Sequence, residues 1–209
     1  MNPISEIRSY LRYRKALAKL HTDFCQFEGA MTSPRFELQW KDRIATLGDD
    51  THKTAFDAHY IYHTGWAARV LSNTHPELHT DISSSLYFIS MISAFFPVKF
   101  YDYRPAQLNL DNLESGSVDL TRLPFEKESI ESLSCMHVVE HIGLGRYGDP
   151  LDPDGDLKAI SELKRVLAPG GKLLFVVPVG GTARIQFNAH RIYTYEQVRE
   201  YFSEFELKE

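Results

Sequence analysis

The sequence predicts a doubly wound α/β domain on a mostly parallel sheet, with a helical extension ahead of it. Three observations carry that prediction. From Glu77 onward, short apolar strands alternate with helical segments, the pattern of parallel strands joined by crossover helices. The run "KLLFVVPV", 172–179, is apolar without alternation, which marks a strand covered on both faces. Asp81, Asp102 and Asp119 each close a strand, at the sheet edge where such folds bind ligands.

The chain has 209 residues, 43% hydrophobic and 24% charged, enough for one core and a modest appendage. A net charge of -5 argues against a nucleic-acid partner. Cys25 and Cys135 match no metal or redox spacing, so we expect two buried thiols in a reducing, cytoplasmic setting. The opening residues lack the apolar core of a signal peptide. The longest apolar stretch, Leu86 to Val98, is interrupted by Ser90, Ser93 and Pro97 and is too short to span a bilayer, which needs roughly 20 residues.

The elements follow in order. Ile7, Tyr10, Leu11, Leu17, Leu20 and Phe24 recur at helical spacing. Arg8, Arg12, Arg14, Lys15 and Lys19 decorate the same helix as a solvated face or as a contact for an anionic partner. A polar, turn-rich stretch, 31–54, follows. A second helix, 56–71, offers Ile61, Trp66, Val70 and Leu71 to a core. We place the boundary between this extension, 1–76, and the α/β core, 77–209. "ELHTDI" is the first strand and "VKFYD" the second. Between them "LYFISMISAFF" is apolar on nearly every side, so a buried helix is expected. "GSVDL", 116–120, is the third strand and "IESLSCMH" the fourth. "LKAISELKRVL" is amphipathic, with Leu157, Ile160, Leu163 and Leu167 inward; Asp154 or Asp156 caps it, and Pro169-Gly170-Gly171 ends it. Thr194 with Gln197 forms a capping box for the last helix, and "FELKE", 205–209, is expected to begin a sixth strand.

The chemistry gathers at the strand ends. Asp102 lies about 20 residues past the turn after the first strand, the spacing at which a carboxylate takes ribose hydroxyls. Asp119 suits an adenine amino group. The turn itself carries Ser83, Ser84 and Ser85 where glycines are usual, which suits a ligand only if the turn avoids left-handed φ.

These segments resemble the class I S-adenosylmethionine-dependent methyltransferases, on a Rossmann-like fold. "VKFYDYRP", "SVDLTRLPFEKESIESLSCMHVVEHI", "DLKAISELKRVLAPGGKLLFVVPV" and "HRIYTYEQVREYF" match, in order, the ribose-acid strand, the adenine loop, the fourth strand with its Glu-His, the helix and fifth strand, and the helix after it. Within that superfamily, "LGDDTHKTAFDAHYIYHTGWAARVL", "DISSS" and "HVVEHIGLGRYGDPLDPDGDLKAI" resemble an uncharacterised methyltransferase-like family. The resemblance implies S-adenosylmethionine as cofactor, held by Asp81, Ser83, Ser84, Ser85, Asp102, Tyr103, Asp119, Leu120, Met136 and His137. Serine hydroxyls would donate to its carboxylate, and Asp81 or a carbonyl would hold its ammonium. His141 is the candidate base and Glu140 its companion. Tyr62 and His63, ahead of the first strand, and Asn188, His190 and Arg191, after the fifth, are the candidate acceptor contacts.

Three patterns mislead. His137-x-x-Glu140-His141 has the spacing of an inverted zinc-protease motif but follows a strand and lacks a third ligand. Gly143-x-Gly145-x-x-Gly148 follows no strand directly, and Asp152, Asp154 and Asp156 lack the glycine and glutamate spacing of a calcium loop. The expectation is therefore a methyltransferase acting on a small polar acceptor such as a sugar or glycan precursor, with no metal. The alternative is a non-catalytic binding module with a degenerate cofactor site. The resemblance also implies a sixth strand and an antiparallel seventh. With no room for the seventh after "FELKE", an open sheet edge and a homo-oligomer are expected.

Overall fold

The computed structural model describes residues 3–32 and 35–209. Ser33 and Pro34, in the turn-rich stretch, lie outside the described residues. The chain divides into two compact units between Asp57 and Ala58, earlier than the 76/77 boundary expected from the sequence. The reason is packing. Helix Ala58–Thr74 buries His63, Ala67 and Leu71, and the last two join a core cluster with Phe88, Ile89 and Phe100.

The first unit is dominated by α1 (Pro3–Ala30), followed by a 3-10 turn, Trp40–Asp42. Trp40 collects His21 and Phe24 edge-on, with the Arg43 guanidinium 4.3 Å from its ring centroid. Ile7, Tyr10 and Leu11 are exposed. So is Cys25, against the expectation of two buried thiols; Cys135, inside the sheet, is buried.

The second unit is the doubly wound α/β core. It begins with α2 (Ala58–Thr74) and continues β1 (His79–Ile82), α3 (Leu86–Ile92), β2 (Val98–Asp102), β3 (Leu113–Ser117), β4 (Ile130–Met136), α4 (Gly155–Val166), β5 (Leu167–Val176), β6 (Arg184–Gln186), β7 (His190–Ile192) and α5 (Tyr195–Tyr201). β1 to β5 form a parallel sheet in the order β3-β2-β1-β4-β5. One face carries Ile82, Leu133, Cys135, Ile160 and Leu163, with Tyr201 and Phe202 against them; the other carries Ala67, Leu71, Phe88, Phe100 and Met136. Helices on both faces bury the sheet, and the strand order reverses between β1 and β4, where a crevice opens.

Several elements differ from the sequence reading. β3 spans Leu113–Ser117, not 116–120, because β2 ends at Asp102 and the register sets Ser117 opposite it. Val118 and Leu120, read as strand, instead turn into the core. α3 is only half buried. Phe88, Ile89 and Ile92 face inward, while Tyr87 and Met91, and Phe95 in the turn that follows, stay open, since a single short helix lies on the sheet by one side. On α2, Ile61 is exposed and Ala67 takes the core position. On α4, Leu157 is partly open. β5 begins at Leu167 and carries Pro169-Gly170-Gly171 as a bulge between the Ile130/Leu167 and Ser132/Lys172 pairs. As the last strand of the five, β5 buries only Leu174 fully. After it comes an antiparallel pair, β6–β7, and residues 206–209 form no strand. The capping box at Thr194 and Gln197 is formed. No described helix is long and apolar enough to cross a membrane.

Candidate cofactor and active site

The serine turn follows β1. Ser83 adopts φ +57, the left-handed conformation that glycine takes without penalty, so the condition that the turn avoid it is not met. Two bonds to one acceptor hold it there: its amide donates to the Tyr101 carbonyl at 2.7 Å and its hydroxyl to the same oxygen at 3.3 Å. Ser84 is buried, and its hydroxyl oxygen accepts from the Met136 amide at 3.1 Å. The hydroxyls of Ser83 and Ser84 are thus engaged inside the protein. Ser85 occupies the N-cap position of α3 without a side-chain capping bond.

Asp81 is wholly buried. The Ser84 amide donates to its Oδ1 at 2.9 Å and the Ser134 hydroxyl donates to its Oδ2. Since Ser134 donates there, its oxygen accepts from His79 Nε2 at 2.9 Å, and Ser132 donates to His79 Nδ1 at 2.8 Å. Burial pushes the Asp81 carboxyl up to about 6 and the His79 imidazole down to about 4. This chain ties β1 to β4 beneath the turn.

Above the turn lies a cavity of about 560 Å³ at the carboxyl edge of the sheet. It brings together Ser83, Asp102, Tyr103, Asp119, Leu120, His137 and His141, from the ends of β1, β2, β3 and β4. Asp102 Oδ1 accepts from the Arg104 amide at 2.7 Å. Asp119 Oδ1 accepts from the amide and hydroxyl of Thr121, at 2.8 and 2.7 Å. Each carboxylate keeps its Oδ2 without a hydrogen-bond partner among the described residues.

His137 follows β4 with φ +59, a conformation in which histidine is enriched. Its Nδ1 lies 3.0 Å from Glu140 Oε1, while its Nε2 and Glu140 Oε2 are buried with no hydrogen-bond partner among the described residues. Tyr60 stacks on the His137 ring at 5.6 Å and His63 meets it edge-on at 4.9 Å. Glu140 is itself buried and is not among the residues that line the cavity. His141 Nδ1 donates to the Ala189 carbonyl at 2.6 Å, which fixes the tautomer. Its Nε2 stands 3.8 Å from Glu140 Oε1, too far for a hydrogen bond. Burial pulls its pKa down; the Glu140 charge pulls it back up in part.

Other expected site residues stand elsewhere. Asp81, Ser84, Ser85, Met136 and Glu140 lie outside the cavity lining, as do Tyr62, His63, Asn188, His190 and Arg191. Tyr62 and Asn188 are exposed. Arg191 is a buried brace: it donates to the carbonyls of Ile142 at 2.6 Å and Pro153 at 3.1 Å and pairs with Asp156. His190 meets His141 edge-on at 6.2 Å. The lining adds Arg104, Thr121, Tyr147 and Asp149, which no motif singled out. Only the position of Arg104, two residues past Asp102, hinted at it. The glycine pattern 143–148 takes positive φ at all three glycines, and the Asp149 carboxylate occupies the amides of Gly143 and Gly145. Among the described residues no group of three or more His, Cys, Asp or Glu converges as a metal ion needs.

The comparisons bear on the fold. The profile of a family described as "Caenorhabditis protein of unknown function, DUF268" matches residues 123–208. No protein of curated function matches the sequence. A candidate methyltransferase from Bacillus halodurans C-125 superposes with a TM-score of 0.51 at 18% identity, over 70% of this chain and 70% of that one. The YcgJ protein from Bacillus subtilis gives 0.52 at 15%, over 69% and 67%. The [4+2]-cyclase SpnF gives 0.50 at 17%, over 68% and 55%. The fold is that of the class I methyltransferases. At these identities the likeness is one of fold, and a cyclase among the matches means that the fold alone does not set the reaction.

Proposed function

We propose that this chain is an S-adenosylmethionine-dependent methyltransferase acting on a small polar acceptor, a class that includes sugars and glycan precursors. The observation that carries the reading is the pair Asp102 and Asp119. Both face one cavity from neighbouring strand ends, and each keeps one carboxylate oxygen free. That donor-seeking pair fits a nucleoside: Asp102 Oδ2 for ribose hydroxyls, Asp119 Oδ2 for the adenine amino group, Tyr103 and Leu120 for the purine. When bound, the cofactor supplies a methyl group activated by its sulfonium. The protein's own part is orientation and proton removal. Aligning two reactants is worth roughly 7–11 kcal/mol. His141, with its proton held on Nδ1, presents Nε2 to take the acceptor's proton, and Glu140 stabilises the cation that results. Calorimetry tests the assignment: S-adenosylhomocysteine binds the full chain, and Asp102→Ala weakens it about tenfold or more, since it removes a charge-assisted bond of about 1.5–3 kcal/mol. Equal affinity in parent and variant sinks it.

A second reading rests on the serine turn. With the Ser83 and Ser84 hydroxyls turned inward, the turn offers the cofactor's amino-acid end fewer donors. A binding module without turnover follows from that. It predicts weak or absent S-adenosylhomocysteine binding and no methyl transfer to any polar acceptor tried.

A further inference from the structure

Among the described residues four carboxylates line the cavity, and each is occupied or assigned. Asp102 and Asp119 face the nucleoside under the function proposed above. Asp149 accepts from the amides of Gly143 at 2.7 Å, Gly145 at 3.4 Å and Tyr147 at 3.2 Å. Asp152 pairs with Lys158. The positive side differs. Arg104 lines the cavity, and its guanidinium lies 5.1 Å from the ring centroid of Tyr147, another lining residue. The Arg146 guanidinium lies 5.1 Å from the same ring. Two such distances to one centroid put the guanidiniums at most about 10 Å apart. Neither forms an ion pair among the described residues. Arg146 instead donates to the Ala189 carbonyl at 3.2 Å and stands 3.5 Å from His141 Nδ1. Two exposed, unneutralised cations therefore share one aromatic platform beside the candidate base.

We infer that the acceptor carries an oxyanion group, a phosphate or a carboxylate, and that Arg104 and Arg146 recognise it across Tyr147. The inference rests on the proposed function for the word acceptor; the anion site stands on its own geometry. A guanidinium offers paired donors that match an oxyanion, and the cation–π contact with Tyr147 restrains each one before the ligand arrives. The net charge of -5 gives no general attraction for anions, so selection is local. Arg146 touches both the anion and the neighbourhood of His141. The anchored group thus sits beside the His141 ring on its Nδ1 side, with Nε2, the nitrogen that takes the proton, across the ring.

One rival ligand has the same chemistry, the carboxylate of the cofactor itself. Calorimetric titration of inorganic phosphate into the full chain separates the two, with and without saturating S-adenosylhomocysteine. The expected result is phosphate binding of similar strength in both states. The double variant Arg104→Gln/Arg146→Gln weakens it about tenfold or more with an unchanged melting temperature, because both side chains are exposed. Phosphate binding that survives in the double variant overturns the inference. So does phosphate binding that saturating S-adenosylhomocysteine abolishes, together with loss of S-adenosylhomocysteine affinity in the double variant, which would give the arginines to the cofactor. If S-adenosylhomocysteine gives no heat at all while phosphate binds through the two arginines, the methyltransferase reading falls and the anion site stands.

Discussion

Glu140 lies between two histidines that face the same cavity. His137 is held by it at 3.0 Å, whereas His141 keeps 3.8 Å of distance and takes its orientation from Ala189. A neutral His141 needs no closer carboxylate; a protonated one does. Burial lowers its pKa, the Glu140 charge and the Ala189 carbonyl raise it, and Arg146 and His190 lower it. Activity that depends on the neutral ring is lost as pH falls through that lowered value, so the acidic limb of kcat/KM lies below the ordinary histidine range. Removing the Glu140 charge takes away a raising influence, and Glu140→Gln moves the limb further toward acid. His141→Gln lowers kcat by about 10²–10⁴-fold while S-adenosylhomocysteine affinity stays within about twofold; a kcat near that of the parent removes His141 as base. The place of Asp102 and Asp119 on the cavity was legible because a carboxylate at or just past a strand end is a local feature. The inward turn of the Ser83 and Ser84 hydroxyls was not, since their partners Tyr101 and Met136 lie 18 and 52 residues away.

The β1–β4 pair holds a buried polar chain, and its two titrating ends oppose each other. Asp81 sits at about 6 against an ordinary 3.8, so the folded state binds its proton more tightly than the unfolded chain does. That contribution is lost as pH rises through about 4 to 6. His79 sits at about 4 against an ordinary 6.5, so its contribution is lost as pH falls through the same window. In the parent the two slopes offset. Denaturant midpoints measured from pH 4 to 7 separate them: Asp81→Asn loses stability toward acid, and His79→Asn loses it as pH rises from 4 to 6. A flat profile in both variants refutes the network. On β5, Gly171 fills another structural need. A Cβ there would stand 2.8 Å from the Ala168 carbonyl oxygen and 3.0 Å from that of Glu131. Gly171→Ala therefore costs about 1–3 kcal/mol by denaturant titration. The Pro-Gly-Gly run was plain in the sequence, yet its place inside β5 follows from pairing with Ile130 and Ser132.

At the scale of the molecule, every residue lining the cavity lies between Ile82 and Gly155, in the second unit. Residues 58–209 expressed alone are therefore expected to unfold cooperatively and to bind S-adenosylhomocysteine within about threefold of the full chain; loss of binding would place part of the site in the first unit. The sequence by itself determined the alternation of strands and helices, the parallel sheet, the capping box at Thr194 and the acids at the strand ends. Each of these depends on neighbours a few residues apart, through periodicity, capping or turn chemistry. Tertiary structure alone decided that α2 belongs with the sheet, that α3 shows half its apolar surface, that Asp81 is sealed beneath the turn, and that Arg104 meets Tyr147. Those outcomes depend on which side of an element another covers and on contacts between residues far apart in the chain, which no local pattern encodes.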